Sequence, residues 1–399
     1  MSIALTSKDL THIHWEVSTV CQALCALCIR HGNEGEYQQT YTSLSQVQQS
    51  LIGLENINSI MFCGTSGDPL GNPELADIVE HIKEIFPKCR IEVHTNGGLG
   101  STDTFTRLAQ AGVLLQLGVD GVGKDNLLYR SNVRWDIVDR NARAFVAAKS
   151  PESTIRTNTL IFDQVKNTLP GLIEWSREIG IDGMMLSRVC SPAGPTPTYD
   201  RAGNIMHWLS TYDSPLQRRA LSKKVWYRDQ FDQLRAIVDK FVAVDIPENK
   251  KDERVLFRYK NQQVPIPIKF DIDDTFIENK TRKISCSSLS IKGMLRVYIN
   301  ANNQLLPCSY LGGSLFTNSF KSGVDHRGGV PTPRDAEFIN RIHEIGLDSF
   351  DLTKHTIKDV LDSDALYRLS LSAVDKNTKL AACGYYCGQE DHVLGYPLT

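Results

Sequence analysis

Thr-His-Ile-His-Trp-Glu-Val-Ser-Thr-Val-Cys-Gln-Ala-Leu-Cys-Ala-Leu-Cys runs from Thr11 to Cys28. Ile13, Trp15 and Val17 alternate with His12, His14 and Glu16, the period-two pattern of a strand with one buried face. Cys21, Cys25 and Cys28 follow at once, so the strand delivers three thiols in one short loop just past its end.

Working outward, the strand-then-helix unit repeats. Asn56 to Cys63 reads as a second strand, and Asn72-Pro73-Glu74 as an N-cap with proline at the first helical position. Leu75, Ile78, Val79, Ile82 and Phe86 then share one helix face. Further strands are expected near Arg90 to His94, Val113 to Val119, Thr154 to Ile161 and Gly183 to Val189, with Trp135 to Lys149 and Asn167 to Ile179 the clearest intervening helices. Crossovers of helical length require parallel pairing, so the expected fold is α/β, a partial (β/α)6 TIM-like barrel over residues 1–190. Sites on such sheets collect at the C-terminal strand ends. Ser191 to Thr198, rich in proline and small residues, marks a boundary or an active-site loop. Residues 191–285 read as a linker or insertion without an assignable fold, apart from an amphipathic stretch from Tyr227 to Val244. Residues 286–399 read as a small α+β domain, with a hairpin of Leu295 to Ile299 and Gln304 to Leu306 delivering Cys308.

The chain has 399 residues, 41% hydrophobic and 23% charged, which excludes disorder as its main state. Lys and Arg total 44 against 46 Asp and Glu, so no global positive field draws it to nucleic acid or anionic lipid. No apolar run is long enough for a membrane span, and Met1 to Leu10 lacks the apolar core of a signal peptide, so the expected location is the cytoplasm. Ten cysteines in that compartment should be reduced, and their clustering reads as metal or redox chemistry.

Three thiolates from one loop can hold three corners of a cubane iron–sulfur cluster and leave one iron open. A zinc site completed by His31 is chemically sound as well, and in that alternative the chain is a non-catalytic scaffold or interaction module. The spacing Cys21-x3-Cys25-x2-Cys28 closely resembles the signature of the radical S-adenosylmethionine (radical SAM) enzymes. The resemblance implies a 4Fe-4S cluster whose unique iron binds S-adenosylmethionine, reductive cleavage to a 5′-deoxyadenosyl radical, and abstraction of a substrate hydrogen. Phe62-Cys63-Gly64-Thr65-Ser66-Gly67-Asp68-Pro69 is similar to the family's Gly-Gly-Glu-Pro segment, with Ser66 and Asp68 as departures. His94-Thr95-Asn96-Gly97 looks like its Thr-Asn-Gly turn. Gly118-Val119-Asp120-Gly121 and Tyr129-Arg130 resemble its Ser-x-Asp-Gly and Tyr-Arg elements, with Gly118 replacing serine. These matches imply cofactor contacts at Ser66, Gly67, Asp68, Asn96, Asp120, Arg130 and Ser187, the last at the end of the sixth strand beside Arg188.

Cys286 and Cys308, with Asn303 where the family usually has glycine, resemble the start of the SPASM and twitch auxiliary-cluster domains, and Cys383-x3-Cys387 resembles their close. Four thiolates suffice for one fully ligated auxiliary 4Fe-4S cluster, and a four-cysteine zinc site explains the spacing equally well. The resemblance further implies an oxidoreductase or maturase acting by oxidation or bond formation on a peptide, protein or small molecule. Flavodoxin or ferredoxin would be the electron donor. No leader-binding segment precedes Cys21, which points away from a leader peptide. Cys190, after the sixth strand, is a candidate hydrogen donor, whereas Cys63 and Cys89 read as small buried hydrophobes. Trp175 reads as core, and Arg218, Arg219, Lys223 and Lys224 as anion contacts or a solvated helix face.

Overall fold

The computed structural model describes residues 6–25, 28, 30, 39–65, 67–162, 167–188, 196–200, 204–209, 225–242, 295–309, 333–370, 380 and 383. The expected strands appear as β1 (Leu10–Trp15), β2 (Ser59–Phe62), β3 (Arg90–Thr95), β4 (Leu114–Gly118), β5 (Thr154–Ile161) and β6 (Gly183–Arg188). They pair in that order, all parallel. β7 (Thr196–Tyr199) and β8 (Ile205–Leu209) form a separate antiparallel pair. β9 (Val225–Tyr227) runs antiparallel on β6, at one edge of the main sheet.

The hairpin expected near the C-terminus forms as β10 (Leu295–Ile299) and β11 (Leu305–Leu306), and β10 pairs parallel to β1 within the main sheet. The resulting order is β11-β10-β1-β2-β3-β4-β5-β6-β9, and β9 does not meet β11, so the barrel stays open. At the hairpin, Asn303 adopts φ +57°, a left-handed conformation that glycine takes most readily and asparagine tolerates. Its side chain accepts from Thr42 Oγ1 at 2.9 Å, tying the turn to the segment before the first helix.

Among the described residues six helices lie on one face: α1 (Leu44–Leu51), α2 (Leu75–Ile85), α3 (Thr102–Gln110), α4 (Trp135–Ala147), α5 (Leu169–Ile179) and α6 (Phe231–Val242). Each packs against the next. Two of them, α1 and α3, are short and stand outside the helices expected from the sequence; Ser43 and Ser101 cap them by accepting from Gln46 N and Thr104 N, and α3 buries Phe105, Leu108 and Ala109 on one face. Helix α2 starts after Glu74 rather than at Pro73; Asn72 holds that entry by accepting from Glu74 N at 2.9 Å. The amphipathic stretch after Tyr227 is α6, and Gly180 ends α5 at φ +91°. Helices α7 (Pro333–Ile345), α8 (Ile357–Asp362) and α9 (Asp364–Ser370) follow the hairpin. Ser7 donates its backbone N–H to Asp362 Oδ1 at 2.9 Å, joining the chain start to α8.

The core lies between sheet and helices. Ile13, Trp15, Ile60, Phe62, Ile91 and Val93 point into it and meet Val79, Ile82, Phe105 and Phe145. The alternate residues of the same strands face away from the helices, which leaves a polar inner face lined by His14, Glu92, His94, Gln116 and Arg156. Trp175 is buried, as expected, and its indole N–H donates to Asp139 Oδ1 at 2.7 Å. Among the described residues no helix is long and apolar enough to cross a membrane.

Phe145 is fully buried whereas Ile85 is 41% exposed. A Phe145→Ala variant should lose about 3–5 kcal/mol of unfolding free energy in urea. An Ile85→Ala variant should stay within about 0.5 kcal/mol of the parent.

Candidate active site

The three cysteines sit where the sequence places them, past the C-terminal end of β1. Two other strand-end loops clamp their loop. On the β2 side, Asp68 N donates to the Val20 carbonyl at 2.9 Å, and the chains approach so closely that a Cβ on Gly67 would lie 2.1 Å from the Ser18 carbonyl oxygen. On the β4 side, Leu24 N donates to the Ser131 carbonyl at 2.9 Å, and Asn132, at φ +65°, donates its amide to the Gln22 carbonyl at 2.5 Å. Arg30, also buried, donates to the Thr19 carbonyl.

Asp68 is the hub beneath this loop. Its carboxylate accepts from Leu70 N at 2.9 Å, Thr95 Oγ1 at 2.7 Å, Asn96 N at 2.8 Å and Asn96 Nδ2 at 2.6 Å. Burial raises its carboxyl, against these hydrogen bonds and the charge of Arg130. The expectation that Asp68 faces a cofactor meets a carboxylate already committed to the protein. Asn96 is the residue that reaches outward: its amide nitrogen lies 3.6 Å from Cys21 Sγ, and its oxygen accepts from Gln22 Nε2 at 2.7 Å.

Asp120 and Arg130 also turn toward each other, with Arg130 Nε 2.7 Å from Asp120 Oδ2 and Asp120 fully buried. The Asp120 Oδ1 atom accepts from Leu160 N at 2.6 Å. The departure at Gly118 has a steric cause, since a Cβ there would stand 2.7–2.9 Å from the Arg130 guanidinium. Ser187 donates to Asn158 Oδ1 at 2.6 Å. Ser66, Cys190, Cys286, Cys387, His31 and the basic positions 218–224 lie outside the described residues. Cys308 and Cys383 are both partly buried against the core.

The donor set fits an iron–sulfur cluster. Burial pushes the Cys21 thiol up to about 12, with Asp68 and Cys28 adding to the rise. Burial also raises the Cys25 thiol, and Cys28 and Cys21 raise it further, against the pull of Arg130. Packed thiols that resist ionising without a cation are deprotonated by a coordinated metal. Among the described residues no three His, Cys, Asp or Glu side chains are placed to hold a single metal ion.

Sequence reasoning missed a second cluster on the inner face. Cys63, read as a small buried hydrophobe, is partly exposed; the His14 ring lies 2.9 Å from its carbonyl oxygen, and the register sets His94 beside it. Burial alone would raise its thiol, but the neighbouring His94 and His14 imidazoles bring it down to about 6. Burial lowers His94, yet the neighbouring Cys63 and Glu92 raise it to about 10, and its Nε2 lies 2.6 Å from Glu92 Oε1. Glu16 accepts from Thr65 N at 2.7 Å and Tyr298 O–H at 2.6 Å. The signal was present in the strand alternation, which puts His14, Glu92 and His94 on one face, but period-two arithmetic does not tell which strands are neighbours.

Two outcomes follow from these buried charges. Asp120→Asn leaves the Arg130 guanidinium buried and uncompensated, and should cost about 3–5 kcal/mol in urea unfolding. Burial raises the Glu16 carboxyl to about 7 from its ordinary 4.5, so the folded state holds that proton more tightly than the unfolded chain. Its contribution is fully present below pH 4.5 and is lost as pH rises toward 7. Glu16→Gln should therefore gain stability relative to the parent across that window, read from urea midpoints at several pH values.

The family model of the Radical SAM superfamily matches residues 15–175. No curated protein matches the chain in sequence. Among solved structures, Streptococcus suis SuiB bound to S-adenosylmethionine aligns at 14% identity and a TM-score of 0.45, over 77% of this chain and 62% of that one. The chain thus spans about three fifths of the length of SuiB. Native anSMEcpe with bound AdoMet aligns at 12% identity and TM-score 0.46, over 95% and 89% of the two chains. Native anSMEcpe with AdoMet and the Cp18Cys peptide aligns at 13% identity and TM-score 0.48, over 95% and 88%. With its cysteine loop at the end of β1 inside the matched segment, the chain carries the radical SAM domain of that superfamily across residues 15–175.

Proposed function

We propose that this protein is an enzyme that reductively cleaves S-adenosylmethionine and abstracts a hydrogen from a substrate held against the inner face of the sheet. The observation that carries the reading is the Cys21, Cys25 and Cys28 loop, clamped at the strand ends inside the family segment. When bound, a reduced 4Fe-4S cluster and S-adenosylmethionine supply the radical that begins the chemistry. The protein's own part is placement. Cys21, Cys25 and Cys28 hold the cluster, and Asn96 borders it through its amide beside Cys21 Sγ. Gly67 lets the backbone come close, and its peptide is the contact we assign to the cofactor's amino group together with that of the neighbouring Ser66. Asp68, Asp120 and Arg130 are assigned supporting roles: Asp68 fixes the Thr95–Asn96 turn, and the Asp120–Arg130 pair sets a charge beside Cys25. Ser187 is assigned to the substrate-facing end of β6.

The C-terminal cysteines are assigned to one auxiliary 4Fe-4S cluster of a SPASM or twitch-like domain, held by Cys286, Cys308, Cys383 and Cys387. Cys308 and Cys383 both pack against the core, which suits a ligand set shielded from water. Such a cluster would accept an electron from the substrate and favour oxidation or bond formation. The substrate class is a peptide, a protein or a small molecule, and a flavodoxin or ferredoxin supplies the first electron. Cys190 remains assigned as a hydrogen donor at the mouth of the sheet.

Anaerobically purified protein should hold about eight irons per chain if both clusters are present and about four if only the first is. With dithionite it should release 5′-deoxyadenosine. Cys25→Ala should abolish that release while urea unfolding still shows a folded chain. Zinc in place of iron, with no cleavage after anaerobic reconstitution, would overturn the reading.

A further inference from the structure

Phe62 and Val93 are partners in the sheet, which sets Cys63 beside His94. His94 in turn is the partner of Gln116, and Gln116 that of Arg156. These four residues form one polar rung across β2 to β5, beneath the strand-end loops that hold the cysteine triplet. Cys63 is partly exposed and stands next to His94 in the sheet register, and His94 is oriented by Glu92 at 2.6 Å. A nucleophile, a proton carrier and an orienting carboxylate in series is the arrangement of covalent catalysis. At the other end of the rung the Arg156 Nε is buried without a hydrogen-bond partner among the described residues.

We propose that Cys63, His94 and Glu92 form a covalent site in which the Cys63 sulfur adds to the carbonyl of an aldehyde or ketone bearing an anionic group. The thiolate pair forms the S–C bond, the carbonyl π pair moves onto oxygen, and that oxygen takes the proton from the His94 imidazolium. The product is a hemithioacetal with His94 left neutral on Glu92, and no oxidant or reductant is consumed. Reversal releases the carbonyl. Arg156 supplies the charge that the anionic group meets, as a guanidinium fork matches a carboxylate. His14, whose ring lies 2.9 Å from the Cys63 carbonyl oxygen, and Glu16 and Tyr298 beside it, are the other titratable groups facing the sulfur from β1 and β10. The site needs no S-adenosylmethionine, so it stands or falls apart from the radical chemistry.

The test is iodoacetamide labelling of the anaerobic, cluster-loaded protein across pH 5 to 9, with Cys63 followed by peptide mass spectrometry. An ordinary thiol labels with a midpoint near ~8.5, and one facing an imidazolium well below that. The expected midpoint for Cys63 is near 6. Glu92→Gln, which keeps the shape and removes the charge holding His94 protonated, should move it upward; a purely structural Glu92 would leave it in place. Glyoxylate should slow the labelling and dilution restore it, and Arg156→Gln should raise the glyoxylate concentration needed about tenfold. A midpoint at the ordinary thiol value, or labelling indifferent to glyoxylate, overturns the proposal. Iron content and 5′-deoxyadenosine release, measured on the same samples, report separately on the radical reading.

Discussion

One buried carboxylate joins the strand ends on which the site is built. Asp68 gathers donors from its own loop, from Thr95 and twice from Asn96, and its backbone N–H is bonded to Val20 at the start of the cysteine loop. A carboxylate at this depth is tolerable only because every donor is in place, and a partly satisfied one would cost more than an apolar residue. The loops after β1, β2 and β3 are thereby fixed relative to one another. The Asp68 oxygens stay among the strand ends, and the Asn96 amide they hold lies 3.6 Å from Cys21 Sγ.

The same logic explains Gly118. Serine at that position would need the space that the Arg130 guanidinium fills, and the guanidinium is held there by Asp120. Two departures from the resembled pattern, at Asp68 and at Gly118, each coincide with a buried polar group turned toward the protein.

Much of the fold was legible because buried faces impose a period. Ile13, Trp15, Ile60, Phe62, Ile91 and Val93 announce their strands, and β5 begins and ends where its alternation does. The helix at Leu75 was legible from its apolar face, while α1 and α3, at eight and nine residues, bury only two or three apolar side chains each and begin at serine caps. The placement of β10 beside β1 was not legible at all. Nothing local in Leu295 to Ile299 states that its partner lies almost three hundred residues earlier, since long-range pairing is decided by the whole topology. The cysteine triplet could be read from spacing alone; the Cys63 group could not, because its members come from three strands whose adjacency is a property of the sheet.

That adjacency divides the inner face electrostatically. At the strand ends, burial raises the thiols of Cys21 and Cys25, whereas the Asp68 carboxylate, raised by burial, is opposed by its donors and by the charge of Arg130. One rung below, the charges favour one another: the Cys63 thiol and the Glu92 carboxyl are lowered and the His94 and His14 imidazoles raised, each against its burial. Beside Cys25 the charges of Asp120 and Arg130 compensate each other within the protein. The two layers are joined by the protein itself, since Asp68 ties the loops after β1, β2 and β3 together while the pairing of β2 with β3 sets Cys63 beside His94.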